Sequence, residues 1–152
     1  MKIEKFSFNV LRGPQPEIMS EFLFLAKSQG VKTIINLQSG WYNFLHPFRK
    51  KVKPCWFGIQ EIKIPMSPIF PPRMKQVRQA IEAIRHHKEH GQVYVHCKSG
   101  VDRTGAVCAA YLIADHDVGP QMAYIGMLID GFHVYRFFWW LPFIKRILWR
   151  MK

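Results

Sequence analysis

Apolar and polar side chains alternate along KFSFNVL, residues 5–11, which predicts a short first strand. Pro14 and Pro16 then interrupt the chain. In EIMSEFLFLAKSQG, residues 17–30, apolar positions recur at helical spacing, and Gly30 is a natural C-terminal stop. VKTIINL follows at once as a strand whose last residues are apolar on both faces, which suits the interior of a sheet. Residues 38–55, QSGWYNFLHPFRKKVKPC, keep no clear period and predict a long loop carrying Arg49, Lys50, Lys51 and Lys53. WFGIQEIKIP sets Ile62 and Ile64 against Lys63 and predicts a further strand. After PMSPIFPP, the stretch RMKQVRQAIEAIRHHKEHG predicts a long amphipathic helix that buries Met74, Val77, Ile81 and Ile84 and stops at Gly91. QVYVH is a strand, a helix is expected from Thr104 to about Asp115, and GPQMAYIGMLIDG starts another with Pro120 in its first turn. Strands separated by helices predict an α/β fold: a single domain over residues 1–152 with a central, mostly parallel sheet flanked by helices. No internal repeat or low-complexity segment breaks this pattern.

Composition changes the picture in one respect. Hydrophobic residues make up 49% and charged residues 21%, which is ordinary for a globular chain. Lys plus Arg, however, is 22 against 10 for Asp plus Glu, a formal net charge of +12. Such a field favours an anionic partner: a phosphorylated small molecule, a nucleic acid or an acidic membrane surface. The plainer alternative, that surplus Lys only aids solubility, stays open. Three cysteines, Cys55, Cys97 and Cys108, lack metal-ligand spacing and point to a reducing compartment rather than a disulfide framework. The start, MKIEKFSFNV, shows no signal peptide, so a cytoplasmic location is expected, a leader already removed being the alternative.

The candidate chemistry sits in VYVHCKSGVDRTGAVCAAYL, residues 93–112. A strand that ends in Cys97 and turns through KSGVDR into a helix aims a row of backbone N–H groups at one point. The helix N-terminus adds its own free donors and positive dipole end, which makes an anion cradle. The same field favours a thiolate, so Cys97 is expected to be a nucleophile. The planar fork of Arg103 can hold two oxygens of a tetrahedral phosphate. Gly100 permits close backbone approach, Thr104 can donate a hydrogen bond to the sulfur as it leaves, and His96 can order the loop through its ring. Attack of sulfur on phosphorus, then hydrolysis of the phosphocysteine by water, is the reaction these residues suit.

HCKSGVDRTG, residues 96–105, resembles the His-Cys-x5-Arg-Thr-Gly signature of the cysteine-dependent protein tyrosine and dual-specificity phosphatases. VLRGPQP, a helix and GVKTIINLQSG resemble the opening of small bacterial and fungal atypical dual-specificity phosphatases, and DGFHVYRFFWWLPF resembles their C-terminal part more loosely. The resemblance implies one cysteine-phosphatase domain with a dual-specificity phosphatase-like fold, acting through a phosphocysteine intermediate with no metal or other cofactor. It makes Cys97 and Arg103 catalytic, and Lys98, Ser99, Gly100, Val101 and Thr104 substrate-binding.

Members of that family usually take a general acid from an Asp on the loop after the preceding strand. EIKIPMSPIFPPRM, residues 61–74, contains no Asp, and Glu61 lies within the strand. Asp102, one residue before Arg103 as in the myotubularin phosphoinositide phosphatases, is the candidate replacement. Its structural alternative is an acceptor that holds the loop or a neighbouring helix. A third option needs no acid, because anhydride or strongly acidic leaving groups depart unaided.

Ligands of α/β sheets bind at the C-terminal ends of the strands. Lys50 and Lys51, with Arg49 and Lys53, are therefore expected near the phosphate, and Lys98 resembles the lysine that follows the cysteine in lipid phosphatases acting on inositol rings. Those enzymes carry a second loop lysine where this chain has Val101. Several positive charges around one pocket suggest inositol phosphates or phosphoinositides, with phosphoproteins as the alternative; a solvated charge run is the plain reading of the basic loop. An RNA 5′-phosphatase and a non-catalytic phosphate-binding module rank below these, nucleic acid being disfavoured because no RNA-binding motif is recognisable. YRFFWWLPFIKRILWRMK predicts a last helix packed on the core with a wet basic face, and peripheral contact with an acidic membrane stays open. Cys108 is expected in the core, and His86, His87 and His90 as solvated residues at a helix end.

Overall fold

The computed structural model describes residues 2–40 and 52–151. Arg49, Lys50 and Lys51, expected beside the phosphate, lie outside the described residues. Five strands form one sheet: β1 (Glu4–Ser7), β2 (Val10–Gly13), β3 (Val31–Gln38), β4 (Gln60–Met66) and β5 (Gln92–His96). Their spatial order is β1-β2-β5-β3-β4. β5 is the centre, parallel to β2 on one side and to β3 on the other; β4 adds in parallel and β1 alone is antiparallel.

Strand periodicity divides the core between two faces. Val10, Ile35, Val93 and Val95 join a large cluster with α2 (Met74–Lys88), α3 (Asp102–His116), α4 (Pro120–Ile129) and α6 (Leu141–Trp149). Their sequence neighbours Leu11, Ile34 and Tyr94 join a smaller cluster with Phe22 and Leu25 of α1 (Met19–Leu23) and its π-helical continuation Phe24–Ser28. Gly30, at φ 66°, ends that helix as its position predicted. The α/β layering is therefore as read from the periodicity.

The first strand is not single. KFSFNVL folds as a hairpin, β1 turning into β2 at Phe8 and Asn9. Asn9 takes the left-handed conformation, φ 57°, and its side chain donates to the Lys88 carbonyl at 3.0 Å. Asn tolerates that region better than most residues. The alternation runs unbroken through the turn, so the pattern does not reveal it. β4 likewise starts at Gln60 rather than Trp56, because Pro54–Phe57 form a 3₁₀ turn closed by Gly58 at φ 69°.

α2 buries Val77, Ala80, Ile81 and Ile84, with Met74 half-buried. α3 begins at Asp102, two residues before the expected start, and Cys108 is buried in it. Burial pushes the Cys108 thiol up to about 12. A short α5 (Val134–Phe137) and a 3₁₀ turn, Phe138–Trp140, lead into α6. α6 buries Ile144, Ile147 and Leu148 and leaves Lys145 and Arg146 exposed, the packed last helix with a basic outer face. No helix among the described residues is long and apolar enough to cross a membrane.

Candidate active site

β5 delivers His96 and then Cys97 to the edge of the sheet where β2, β3 and β4 also end. Lys98 and Ser99 are exposed, Gly100 turns the chain at φ 76°, and Val101 leads into α3. The loop is clamped from below. A Cβ on Gly100 would collide with the carbonyl group of Gly13, and the Gln15 N–H donates to the Lys98 carbonyl at 3.1 Å. Gly13 is crowded in turn by the Tyr94 hydroxyl, which donates to the Pro14 carbonyl at 2.6 Å. Cys97 is 1% exposed at the floor of this loop.

Arg103 and Thr104 follow in the first turn of α3, both buried. Arg103 Nη1 donates to the Met66 carbonyl at 3.2 Å, which ties the guanidinium to the end of β4. Thr104 Oγ1 is buried and, among the described residues, has no hydrogen-bond partner. Burial pushes His96 down to about 4, against the opposing pull of the Cys97 carbonyl and the Glu61 carboxylate. A neutral ring results at pH 7, with Nδ1–H donating to the Cys97 carbonyl at 3.0 Å. The ring thus bonds the backbone at the first residue of the loop.

Asp102 is buried beside Arg103, and its carboxylate is engaged outside the cradle loop. Its Oδ1 accepts from the His133 backbone N–H at 2.9 Å, and both carboxylate oxygens lie 3.0 Å from His133 Nδ1. Of the two roles considered for Asp102, the geometry displays the structural acceptor. His133 was not singled out from sequence, and nothing local marks it, since its partner lies 31 residues away. Lys98 is also engaged: its Nζ lies 2.6 Å from Glu17 Oε1. Glu61 accepts from Asn36 Nδ2 at 2.8 Å and pairs with Lys63 at 3.5 Å, so the strand carboxylate is likewise committed.

A cavity of about 730 Å³ runs along β3 and β4 on the face of the sheet toward α1 and reaches His96, the residue before the cradle. Lys53, Lys63, Glu17, Glu61, Asn36 and Gln38 line it. Lys53 is the one member of the expected basic run among the described residues, and it does face this cavity. No cluster of ligating side chains among the described residues is arranged to hold a metal ion.

The family model "Polymorphic toxin system, DSP-PTPase phosphatase" matches residues 12–117. The tyrosine-protein phosphatase CDC14 homolog of Schizosaccharomyces pombe is 33% identical over 120 residues, 78% of this chain and 21% of that protein. Dual specificity protein phosphatase 14 of Mus musculus is 29% identical over 104 residues, 66% of this chain and 46% of that one. The chain therefore spans less than half the length of either relative. Among solved structures, PTPMT1 in complex with PI(5)P superposes with TM-score 0.75 at 18% identity, covering 98% of this chain and 96% of that one. Tk-PTP in the active form gives 0.74 at 15% identity over 95% and 96%. The catalytic core of the PP-IP phosphatase SIW14 from S. cerevisiae, with citrate, gives 0.70 at 19% identity over 94% and 83%. At these identities the structural likenesses establish the fold.

Proposed function

The chain belongs to the DSP-PTPase phosphatase family, and on that premise we propose that it hydrolyses phosphate monoesters through a phosphocysteine at Cys97. The sulfur attacks phosphorus while Arg103 and the backbone N–H groups of Ser99, Gly100 and Val101 hold the non-bridging oxygens. The leaving oxygen departs, water hydrolyses the S–P bond, and the Thr104 hydroxyl donates to the departing sulfur. Two buried polar side chains carry this reading. Arg103 sits under the cradle with a single carbonyl partner among the described residues, and the Thr104 hydroxyl has none. Buried groups of this kind cost free energy unless paired; a tetrahedral oxyanion pairs the guanidinium, and the departing sulfur pairs the hydroxyl.

For the substrate, we infer inositol phosphates or phosphoinositides. The support is the cavity of about 730 Å³ beside His96 with Lys53 and Lys63 in its wall, together with the net charge of +12. Such a space takes a bulky, multiply charged ring, and the positive field draws it in. PTPMT1 with PI(5)P and the PP-IP phosphatase SIW14 share the fold. Phosphoproteins are the second reading, favoured because Glu61 pairs with Lys63 and Glu17 also lines the same cavity, which lowers its positive charge. The CDC14 homolog and dual specificity phosphatase 14 are relatives of that kind.

A substrate panel tests both levels. Vanadate-sensitive hydrolysis that vanishes in Cys97→Ser is expected. Retention of turnover in Cys97→Ser would overturn the chemistry. Far better turnover of phosphotyrosine peptides than of any inositol phosphate would overturn the substrate assignment alone.

A further inference from the structure

Among the described residues, the acid that protonates the leaving oxygen has no obvious source. The loop after β4 offers only Ser67, whose Oγ accepts from the N–H groups of Ile69 and Phe70 at 3.1 and 2.9 Å. Glu61 is bound to Asn36 and Lys63. Asp102 spends both carboxylate oxygens on His133. That pairing has a second consequence, because it fixes the imidazole. With Nδ1–H donated to Asp102, the opposite nitrogen, Nε2, is the position that can exchange a proton. The His133 side chain is 52% exposed whereas its Asp102 partner, the residue before Arg103, is 11% exposed, so the ring reaches solvent from a buried base.

The segment that carries His133 is held on the cradle. Arg12 Nη1 bonds Asp130 Oδ2 at 3.0 Å, a Cβ at Gly131 would touch the Val101 side chain at 4.0 Å, and Phe132 is buried in the core. We propose that His133 is the general acid for the leaving oxygen, and that Asp102 is the positioning carboxylate that orients its ring. This rests on the phosphocysteine chemistry above. As the Cys97 sulfur forms its bond to phosphorus, the P–O bond breaks. Its electron pair stays on the leaving oxygen, which takes the proton from Nε2. In the second half, neutral Nε2 takes a proton from the attacking water, the S–P bond breaks, and the pair returns to sulfur. The reaction is balanced without a metal or a further reactant.

The experiment compares kcat for p-nitrophenyl phosphate, whose leaving oxygen departs unprotonated, with kcat for the better of phosphoserine peptide and myo-inositol phosphate. His133→Asn is the decisive variant, because its amide can still donate to Asp102 but carries no transferable proton. His133→Ala removes both functions, and thermal melts confirm that each variant is folded. The expected result is a fall of about 100-fold in the alkyl-to-aryl ratio of kcat for His133→Asn and His133→Ala, with partial recovery of the alkyl rate in His133→Ala on addition of imidazole. An unchanged ratio in His133→Asn overturns the proposal and leaves His133 as a strap. A ratio that falls in Asp102→Asn but not in His133→Asn overturns it in favour of Asp102 itself. Failure of the underlying chemistry is read separately, as wild-type protein that does not hydrolyse p-nitrophenyl phosphate or activity that survives Cys97→Ser.

Discussion

Gly100 of the cradle lies against the carbonyl group of Gly13, closer than any side chain would permit. Gly100 also holds φ 76°. Both conditions exclude a Cβ, so the loop's curvature depends on two glycines from distant parts of the chain. Gly100→Ala is expected to lose about 3 kcal/mol of stability, from left-handed strain and overpacking together. Hydrolysis should fall with it even at temperatures where the variant is folded. Urea titration and steady-state turnover on one preparation check both, and an unaltered loop would show as unchanged kcat.

Arg103→Lys separates charge from shape. Lysine keeps a cation at the helix start but cannot bond the Met66 carbonyl and two phosphate oxygens in one plane. The expected loss in kcat/KM is roughly 100- to 1000-fold, the range for one removed transition-state donor. A drop below tenfold would mean that the guanidinium holds β4 rather than the phosphoryl group.

Thr104→Val is expected to move stability and activity in opposite directions. The buried hydroxyl has no partner among the described residues, and relieving an unpaired polar group is worth about 1 kcal/mol or more. The variant should therefore melt no lower than the wild type. Its turnover should drop, most visibly in the second step, where the sulfur leaves. Burst kinetics with an aryl phosphate would show the phosphocysteine accumulating.

His96 should make the protein sensitive to mild acid. Burial lowers the native value to about 4 from the ordinary 6.5. Between those values the unfolded chain binds a proton that the native state refuses, so stability falls as pH drops through this window. The full effect is at most about 3 kcal/mol. His96→Asn can still donate to the Cys97 carbonyl and does not titrate. Its stability relative to wild type, measured by urea denaturation, should improve between pH 7.5 and pH 4.5. Parallel pH profiles for the two proteins would refute the assignment.

What was legible in the sequence was what is local. Cys97 and Arg103 lie in one contiguous turn, so strand, loop and helix start can be read together, and the periodicities of β3, α2 and β5 each report a buried face. What was not legible depends on distant partners. The clamp of Arg12 on Asp130 spans 118 positions, the tie of Lys98 to Glu17 spans 81, and Asp102 meets His133 across 31. Each alters the meaning of a residue that looks free in the linear order. Lys98, expected to greet the substrate, already has a carboxylate within 2.6 Å. The hairpin at Phe8 and Asn9 escaped for a different reason: the turn keeps the two-residue alternation in phase.

Trp140, with no exposed surface, donates from Nε1 to the Ile69 carbonyl at 2.7 Å, while Trp139 meets the Phe70 ring edge-on at 6.2 Å. The aromatic tail thus acts as a hasp on the segment that follows β4, whose own end receives Arg103. Trp140→Phe, which keeps a buried ring but loses the Nε1 donor, would unfasten that segment and slacken the guanidinium's anchor while the central strands still paired. Loss of turnover would then outrun loss of stability, and steady-state rates and urea denaturation on one preparation would see the two part company.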